Sequence, residues 1–226
     1  MSGIVIVGAK RTAIGSFLGQ FTGVPTPTLG ATAIKAALEQ SGIPAADVSE
    51  VIMGCVLPAN LGQAPARQAS LAAGLPKSTG CTTINKVCGS GMRAVMCAAN
   101  DLRVGDFKVI GAGGMESMSR APYLAPGVRD GLRLGHGKLV DSMIHDGLWD
   151  PYGDQHMGNC GELCAREYAI SREDQDAFSR ESYARARAAT ESGLSAAEIV
   201  PYEISVLASS RLPSYMGGWA MHQLLT

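Results

Sequence analysis

The hydrophobic pattern of the chain alternates between short apolar runs and longer amphipathic stretches. The apolar runs have the length and the β-branched content of buried strands, and they cover residues 4–7, 48–56 and 108–112. Between the first two runs, apolar residues from Leu29 to Leu38 recur at helical spacing, and Gly42 ends this predicted helix. A shorter helix is predicted from Arg67 to Ala73. Strands that alternate with helices predict an α/β fold, in which helices cover a mostly parallel sheet.

A strand that ends near Lys86 leads into the most informative helix of the chain. Apolar residues follow it at helical spacing, and we expect them to form the buried face of this helix: Met92, Val95, Met96, Ala99 and Leu102. Cys88 then lies at the helix N-terminus, where unpaired N–H groups and the helix dipole favour a thiolate and can stabilise an oxyanion. Because free cysteine is commonly buried, packing in the core is the alternative interpretation of Cys88.

A glycine-rich turn follows the predicted strand at 108–112. Gly111, Gly113 and Gly114 could admit the pyrophosphate of a dinucleotide. However, Glu116 occupies the position of the third glycine of that motif, and no long helical pattern begins directly behind the turn. We therefore interpret these glycines as positions of close backbone packing.

Several short motifs stand in order along the chain. They are Gly62 to Gln68, Asn85 to Met92, Gly113 to Ser119, Asp146 to Leu148 and His156 to Gly158. In residue type, order and spacing they resemble the motifs of thiolases, the acyltransferases that make or cleave 3-ketoacyl-CoA. The His156-Met157 pair resembles the acetyl-CoA C-acetyltransferase (acetoacetyl-CoA thiolase) type. The resemblance runs from about Ile4 to about Ser205.

The resemblance implies a chemistry and a set of site residues. Cys88 would be the nucleophile that carries the acyl group as a thioester, which divides one difficult step into two easier ones. Leu148, His156 and Met157 would lie beside the pantetheine and acyl groups. Acetyl-CoA, acetoacetyl-CoA and CoA would be the substrates, with no further cofactor and no metal. The complete protein would be a homo-oligomer.

The resemblance also implies the domain organisation. Residues 1–117 would form the thiolase-like N-terminal α/β domain, 118–206 part of an inserted loop domain, and 207–226 a divergent tail. The glycine- and proline-rich composition from Met118 onwards supports a long excursion out of the sheet domain. Thiolases continue with a second, duplicate α/β half, which we expect this chain to lack. We therefore expect little activity from the chain alone, and the alternative function is a non-catalytic fragment that associates with full-length subunits.

Composition and charge exclude several classes of function. The 226 residues are 46% hydrophobic and 17% charged, as in ordinary globular proteins. Because 19 basic and 20 acidic residues leave a formal net charge of −1, we expect no nucleic-acid partner and no acidic membrane surface. No apolar run approaches the roughly 20 residues of a membrane span, so we expect no membrane association. The six cysteines follow no disulfide-scaffold spacing, which predicts reduced thiols and a cytoplasmic location.

Overall fold

A computed structural model describes residues 3–204, and it confirms the predicted α/β class with a parallel sheet. In chain order the first elements are β1 (Arg11–Thr12), α1 (Thr26–Ser41), β2 (Glu50–Gly54), α2 (Pro65–Ala72), β3 (Gly80–Ile84), α3 (Ser90–Val104) and β4 (Ile110–Gly114). The central sheet has the strand order β3-β2-β4, and both pairings are parallel. Met53 of β2 lies opposite Thr83 on one side and Gly113 on the other. All three strands therefore end at the same edge of the sheet.

Alternate side chains of β2 point to opposite faces of the sheet, and each face has its own apolar cluster. On one face, Val51 and Met53 pack with residues of α1 and α2, among them Ala31 and Ala69. On the other face, Ile52 packs against Ala94 and Ala98 of α3. Two helices therefore cover one face of the sheet, and α3 covers the other.

The face that α3 presents to the sheet differs from the prediction. Met92 is 75% exposed and Met96 is 52% exposed, whereas Ala94 and Ala98 are buried. The predicted buried stripe was therefore wrong at its methionines and at Val95, which is also exposed. The reason is the short distance between helix and sheet, which leaves room for alanine but not for longer side chains.

The predicted first strand was also wrong. Residues 4–7 form no ladder among the described residues, and Val5 and Ile6 are 73% and 80% exposed. The following residues hold this segment beside α1, because the Ala9 N–H donates to Gln40 Oε1 at 2.8 Å. β-Propensity describes fitness for a pleated surface with neighbours, so an apolar segment without a paired strand stays extended and uncovered.

The second part of the described chain consists mainly of short elements and two helices. They are β5 (Tyr123–Leu124), β6 (Val140–Asp141), β7 (Trp149–Asp150), β8 (Gln155–His156), α4 (Met157–Glu167), α5 (Arg172–Glu191) and β9 (Ile199–Val200). β5 pairs with β6 and β7 pairs with β8 in antiparallel fashion, whereas β9 pairs in parallel with β1. Ser171 caps α5, since its Oγ accepts a hydrogen bond from the Asp174 N–H at 3.1 Å.

The predicted tail at 207–226 lies outside the described residues, and the division into domains stays a prediction. No helix within residues 3–204 is both long and apolar enough to span a bilayer.

Candidate functional site

The candidate site lies where the carboxyl ends of the parallel strands meet the N-terminus of α3. Three glycines allow this meeting. A Cβ atom on Gly54 would lie 2.6 Å from the carbonyl carbon of Ser90, and one on Gly114 would lie 3.2 Å from the Cα atom of Gly91. Ordinary carbon–carbon contacts are about 3.5–4.0 Å, so larger residues would displace the helix start. Gly113 and Gly114, predicted to lie in a turn, are the last residues of β4, and the close packing at Gly114 confirms the interpretation as a packing element.

Cys88 lies on a tight turn immediately before Gly89, the N-cap residue of α3, and its side chain is exposed. Core packing, the alternative interpretation of this cysteine, is therefore wrong. The buried hydroxyl of Ser90 holds the turn from below: it accepts from the Lys86 N–H at 2.8 Å and donates to the Val87 carbonyl at 2.6 Å. The Cys88 side chain is therefore exposed to solvent, and the hydrogen bonds of the buried Ser90 hydroxyl fix the backbone of its turn.

The residue before Cys88 has an unusual backbone conformation. Val87 has a φ of +47°, in the left-handed region that β-branched residues rarely adopt. Such a conformation costs about 1–3 kcal/mol and persists only where the surroundings enforce it. Asn85 contributes to that enforcement, because its Oδ1 accepts a hydrogen bond from the Val87 N–H at 2.8 Å.

Glu116 is the residue that the sequence analysis missed. Its carboxylate accepts hydrogen bonds from the backbone N–H groups of Val56 at 2.7 Å and Leu57 at 3.2 Å, and the Cys55 thiol lies 3.7 Å from it. Burial, together with the charge of Glu116 and that contact, raises the pKa of Cys55 to about 12. The sequence contains one signal for the role of Glu116, which is a carboxylate at the position where a dinucleotide-binding motif would have its third glycine.

The loop that Glu116 holds lies beside the Cys88 turn. The side-chain amide of Asn85 donates to the Val56 carbonyl at 3.3 Å, while its oxygen binds the Val87 N–H. One asparagine therefore joins the loop after β2 to the residue that precedes the candidate nucleophile.

The predicted substrate-binding residues lie together on a neighbouring unit. Leu148 ends the helical turn Met143–Leu148, His156 lies opposite Trp149 in the β7–β8 hairpin, and Met157 begins α4. His156 caps that helix, since its Nδ1 accepts a hydrogen bond from the Gly158 N–H at 3.0 Å.

This hairpin unit packs against the loop that Glu116 holds. A Cβ atom on Gly147 would lie 3.5 Å from Leu57 Cδ2, so the backbone just before Leu148 is in contact with that loop. Met157 is exposed and Leu148 and His156 are half-buried. The structure thus groups the three residues and places the start of their unit beside the Glu116 loop, while their contacts with substrate stay a prediction.

The other cysteines differ in exposure. All six are unpaired, and Cys55 is fully buried while Cys164 is exposed on α4. Within residues 3–204 no three histidine, cysteine or acidic side chains cluster as metal ligands would.

Comparison with known proteins identifies the family of this chain. A family model described as "Thiolase, N-terminal domain" matches residues 4–212. The matched range extends beyond Ser205, where the motif-based resemblance ended.

Individual relatives give the same result. The chain is 53% identical to the acetyl-CoA acetyltransferase of Pseudomonas aeruginosa over 204 residues, which is 90% of this chain and 52% of the relative. It is 55% identical to that of Cupriavidus necator over 89% of this chain and 51% of the relative. For the mitochondrial acetyl-CoA acetyltransferase A of Xenopus laevis the identity is 54%, over 89% and 48%. The chain spans about half the length of the curated relatives it matches, and over residues 4–212 it belongs to the thiolase family.

Proposed function

We propose that the complete protein is an acetyl-CoA acetyltransferase that forms or cleaves acetoacetyl-CoA through an acetyl-Cys88 intermediate. The observation that carries the proposal is the exposed Cys88 on a fixed turn at the start of α3, in a chain of the thiolase family. The names of the relatives support acetyl-CoA as the substrate.

In the first step, the Cys88 sulfur attacks the thioester carbonyl of acetyl-CoA. The bond from the acetyl carbon to the CoA sulfur breaks, and CoA leaves with the proton that the thiol has lost. α3 begins two residues after Cys88, and the unpaired backbone N–H groups of a helix start can stabilise the oxyanion of the tetrahedral intermediate.

In the second step, a base removes an α-proton from another acetyl-CoA. The resulting carbanion attacks acetyl-Cys88, a carbon–carbon bond forms, and the Cys88 sulfur leaves. Two molecules of acetyl-CoA thus give acetoacetyl-CoA and CoA. A positioned base contributes typically 10²–10⁴-fold to such a step. In thiolases the second half supplies this base, so a polypeptide of these 226 residues would be inactive on its own.

The hairpin unit with Leu148, His156 and Met157 would contact the acyl and pantetheine groups. Its place beside Leu57, next to the loop that Asn85 joins to the Cys88 turn, supports this role. We place the complete protein in the cytoplasm as a homo-oligomer, because the six cysteines of this chain are unpaired and fit a reducing compartment.

A second candidate is a non-catalytic subunit that associates with full-length thiolase chains. The observation in its favour is uncovered apolar surface: Met92 and Met96 on α3, and the segment 4–7. Exposed apolar surface marks association sites where it is contiguous, and Met92 and Met96 lie one turn apart on the same side of α3.

The experiment that tests the first function follows acetyl transfer to Cys88. The chain joined to the second half of the Pseudomonas relative is incubated with acetyl-CoA, and Cys88→Ala serves as control. Release of CoA that is lost in the control supports the proposal. Release of CoA at the same rate in the control contradicts it. Activity absent from both, together with a stable complex between the 226-residue chain and the full-length relative, favours the second candidate.

A further inference from the structure

The loop after β2 is held by a charge. Glu116 accepts from two consecutive backbone N–H groups, those of Val56 and Leu57, and the shorter bond measures 2.7 Å. Hydrogen bonds to an ionised carboxylate are roughly twice as strong as bonds between neutral groups. The position of the Val56 peptide is therefore set by Glu116.

Asn85 uses both ends of its side-chain amide. Its nitrogen donates to the Val56 carbonyl at 3.3 Å, and its oxygen accepts from the Val87 N–H at 2.8 Å. If the Asn85 amide rotated by 180°, its nitrogen would face the Val87 N–H and its oxygen would face the Val56 carbonyl, and neither pair could form a hydrogen bond. The two observed bonds therefore fix one orientation of the amide. The Val56 peptide thus orients Asn85, and Asn85 orients Val87.

Val87 needs this support because of its left-handed conformation. Ser90 binds its carbonyl, but its N–H depends on Asn85 alone among the described bonds. Without the Asn85 bond, Val87 can relax to negative φ and turn the peptide that leads to Cys88. We propose that Asn85, and through it Glu116, are positioning residues that hold Cys88 at the start of α3. The proposal rests on the proposed function, since it concerns the nucleophile of that reaction.

The test measures the alkylation rates of two thiols in the same 226-residue chain. Iodoacetamide labelling of Cys88 is divided by labelling of Cys164, which is exposed on α4 and lies outside the network. The ratio cancels differences in concentration and reagent. In the native chain we expect a ratio well above one.

The variants remove the network one residue at a time. Glu116→Ala and Asn85→Ala should each lower the ratio by about fivefold, the effect of one net hydrogen bond. The double variant should lower it little further, because the two residues act in series. Glu116→Gln keeps one acceptor oxygen and should give an intermediate ratio. Glu50→Ala is the matched control: Glu50 is also a half-buried glutamate, but it accepts from the Thr82 hydroxyl at the opposite end of β2.

Exposed Asn85 provides a variant that does not threaten the core. Asn85→Asp keeps the oxygen that accepts from the Val87 N–H and loses the nitrogen that donates to the Val56 carbonyl. This variant therefore tests whether the bond to Val56 matters, even if Glu116→Ala fails to fold. The positioning role is overturned if the ratio is unchanged in Asn85→Asp and in every Glu116 variant that folds. It is also overturned if the ratio falls equally in Glu50→Ala. Neither result affects the proposed function. A native ratio near one overturns the positioning role as well, whereas acetyl transfer to Cys88 in the chimera decides the proposed function separately.

Discussion

Replacement of Gly54 by alanine tests how closely the sheet and the start of α3 must approach. The new Cβ atom would lie 2.6 Å from both the carbonyl carbon and the Cβ atom of Ser90, and 2.8 Å from the Gly91 nitrogen. These neighbours are mostly backbone, and the buried Ser90 side chain cannot swing away. The helix start must therefore move by about 1 Å to restore ordinary contacts of about 3.5–4.0 Å.

The expected cost follows from two opposing contributions. Overpacking of this kind destabilises a folded domain by about 1–3 kcal/mol, and we expect the upper end because backbone must move. Replacing glycine in a strand returns about 0.5–1 kcal/mol of chain entropy. The net loss in the free energy of unfolding should be about 2 kcal/mol. With a urea dependence of about 2 kcal/mol per molar, the unfolding midpoint falls by about 1 M.

The assay is urea unfolding followed by circular dichroism, with Gly113→Ala as control. A Cβ atom on Gly113 would meet only the flexible Met53 side chain, at 3.5 Å, so its midpoint should stay within about 0.3 M of native. The same urea midpoint for Gly54→Ala and Gly113→Ala would refute the close approach of α3 to β2. The Gly54→Ala chain should also lose preferential alkylation of Cys88, because the displaced helix start carries the turn with it.

Three further predictions concern other parts of the molecule. Because the pKa of Cys55 is raised, the stability that depends on its protonation is present below pH 9 and is lost as the pH rises towards about 12. Cys55→Ser should reduce this loss, which urea midpoints measured across that pH range would show. The same pH dependence of the midpoint in the native chain and in Cys55→Ser would contradict the prediction. Replacing Met92 and Met96 together by lysine should reduce self-association, as measured by sedimentation. The free energy of unfolding should stay within about 0.5 kcal/mol per site of the native value, because both side chains are exposed. A loss of several kcal/mol would mean that this face of α3 is buried. In the chimera with a relative's second half, Met157→Gly should admit bulkier acyl groups, because a side chain in a closed pocket discriminates by volume; equal kcat/KM for short and long acyl chains before the substitution would exclude this role.

The hydrophobic pattern was sufficient for the fold class and for most element positions. Gly42 ends α1 in the left-handed conformation with a φ of +67°, and Ser171 caps α5, both as local chemistry predicted. Helix ends are set by a few neighbouring residues, so a sequence can specify them without knowledge of the rest of the molecule.

The wrong predictions concern residues whose burial or pairing depends on the element that packs against them. Helical spacing identified an apolar stripe on α3 around Met92 and Met96, but it could not decide whether the sheet or another partner covers it. The close approach at Gly54 and Gly114 selects Ala94 and Ala98 for the sheet side. Likewise, the apolar segment 4–7 has strand propensity, but pairing requires a second strand beside it.

At the candidate site, the motif predicted Cys88 and its place at the helix start. It could not predict the left-handed Val87 or the connection through Asn85 to Glu116. The connection depends on contacts between residues that are 29 and 60 positions apart, those of Asn85 with Val56 and of Glu116 with Val56. Local sequence contains no direct signal for such contacts.

The proposed mechanism requires that Cys88 accepts the acetyl group of acetyl-CoA. The most direct measurement is mass spectrometry of the chimera with a relative's second half, quenched in acid after mixing with acetyl-CoA and digested. We expect one added acetyl group on the peptide that contains Cys88, and its removal when CoA is added before the quench. An acetyl group on another cysteine, or CoA release without any acetylated Cys88, would contradict it.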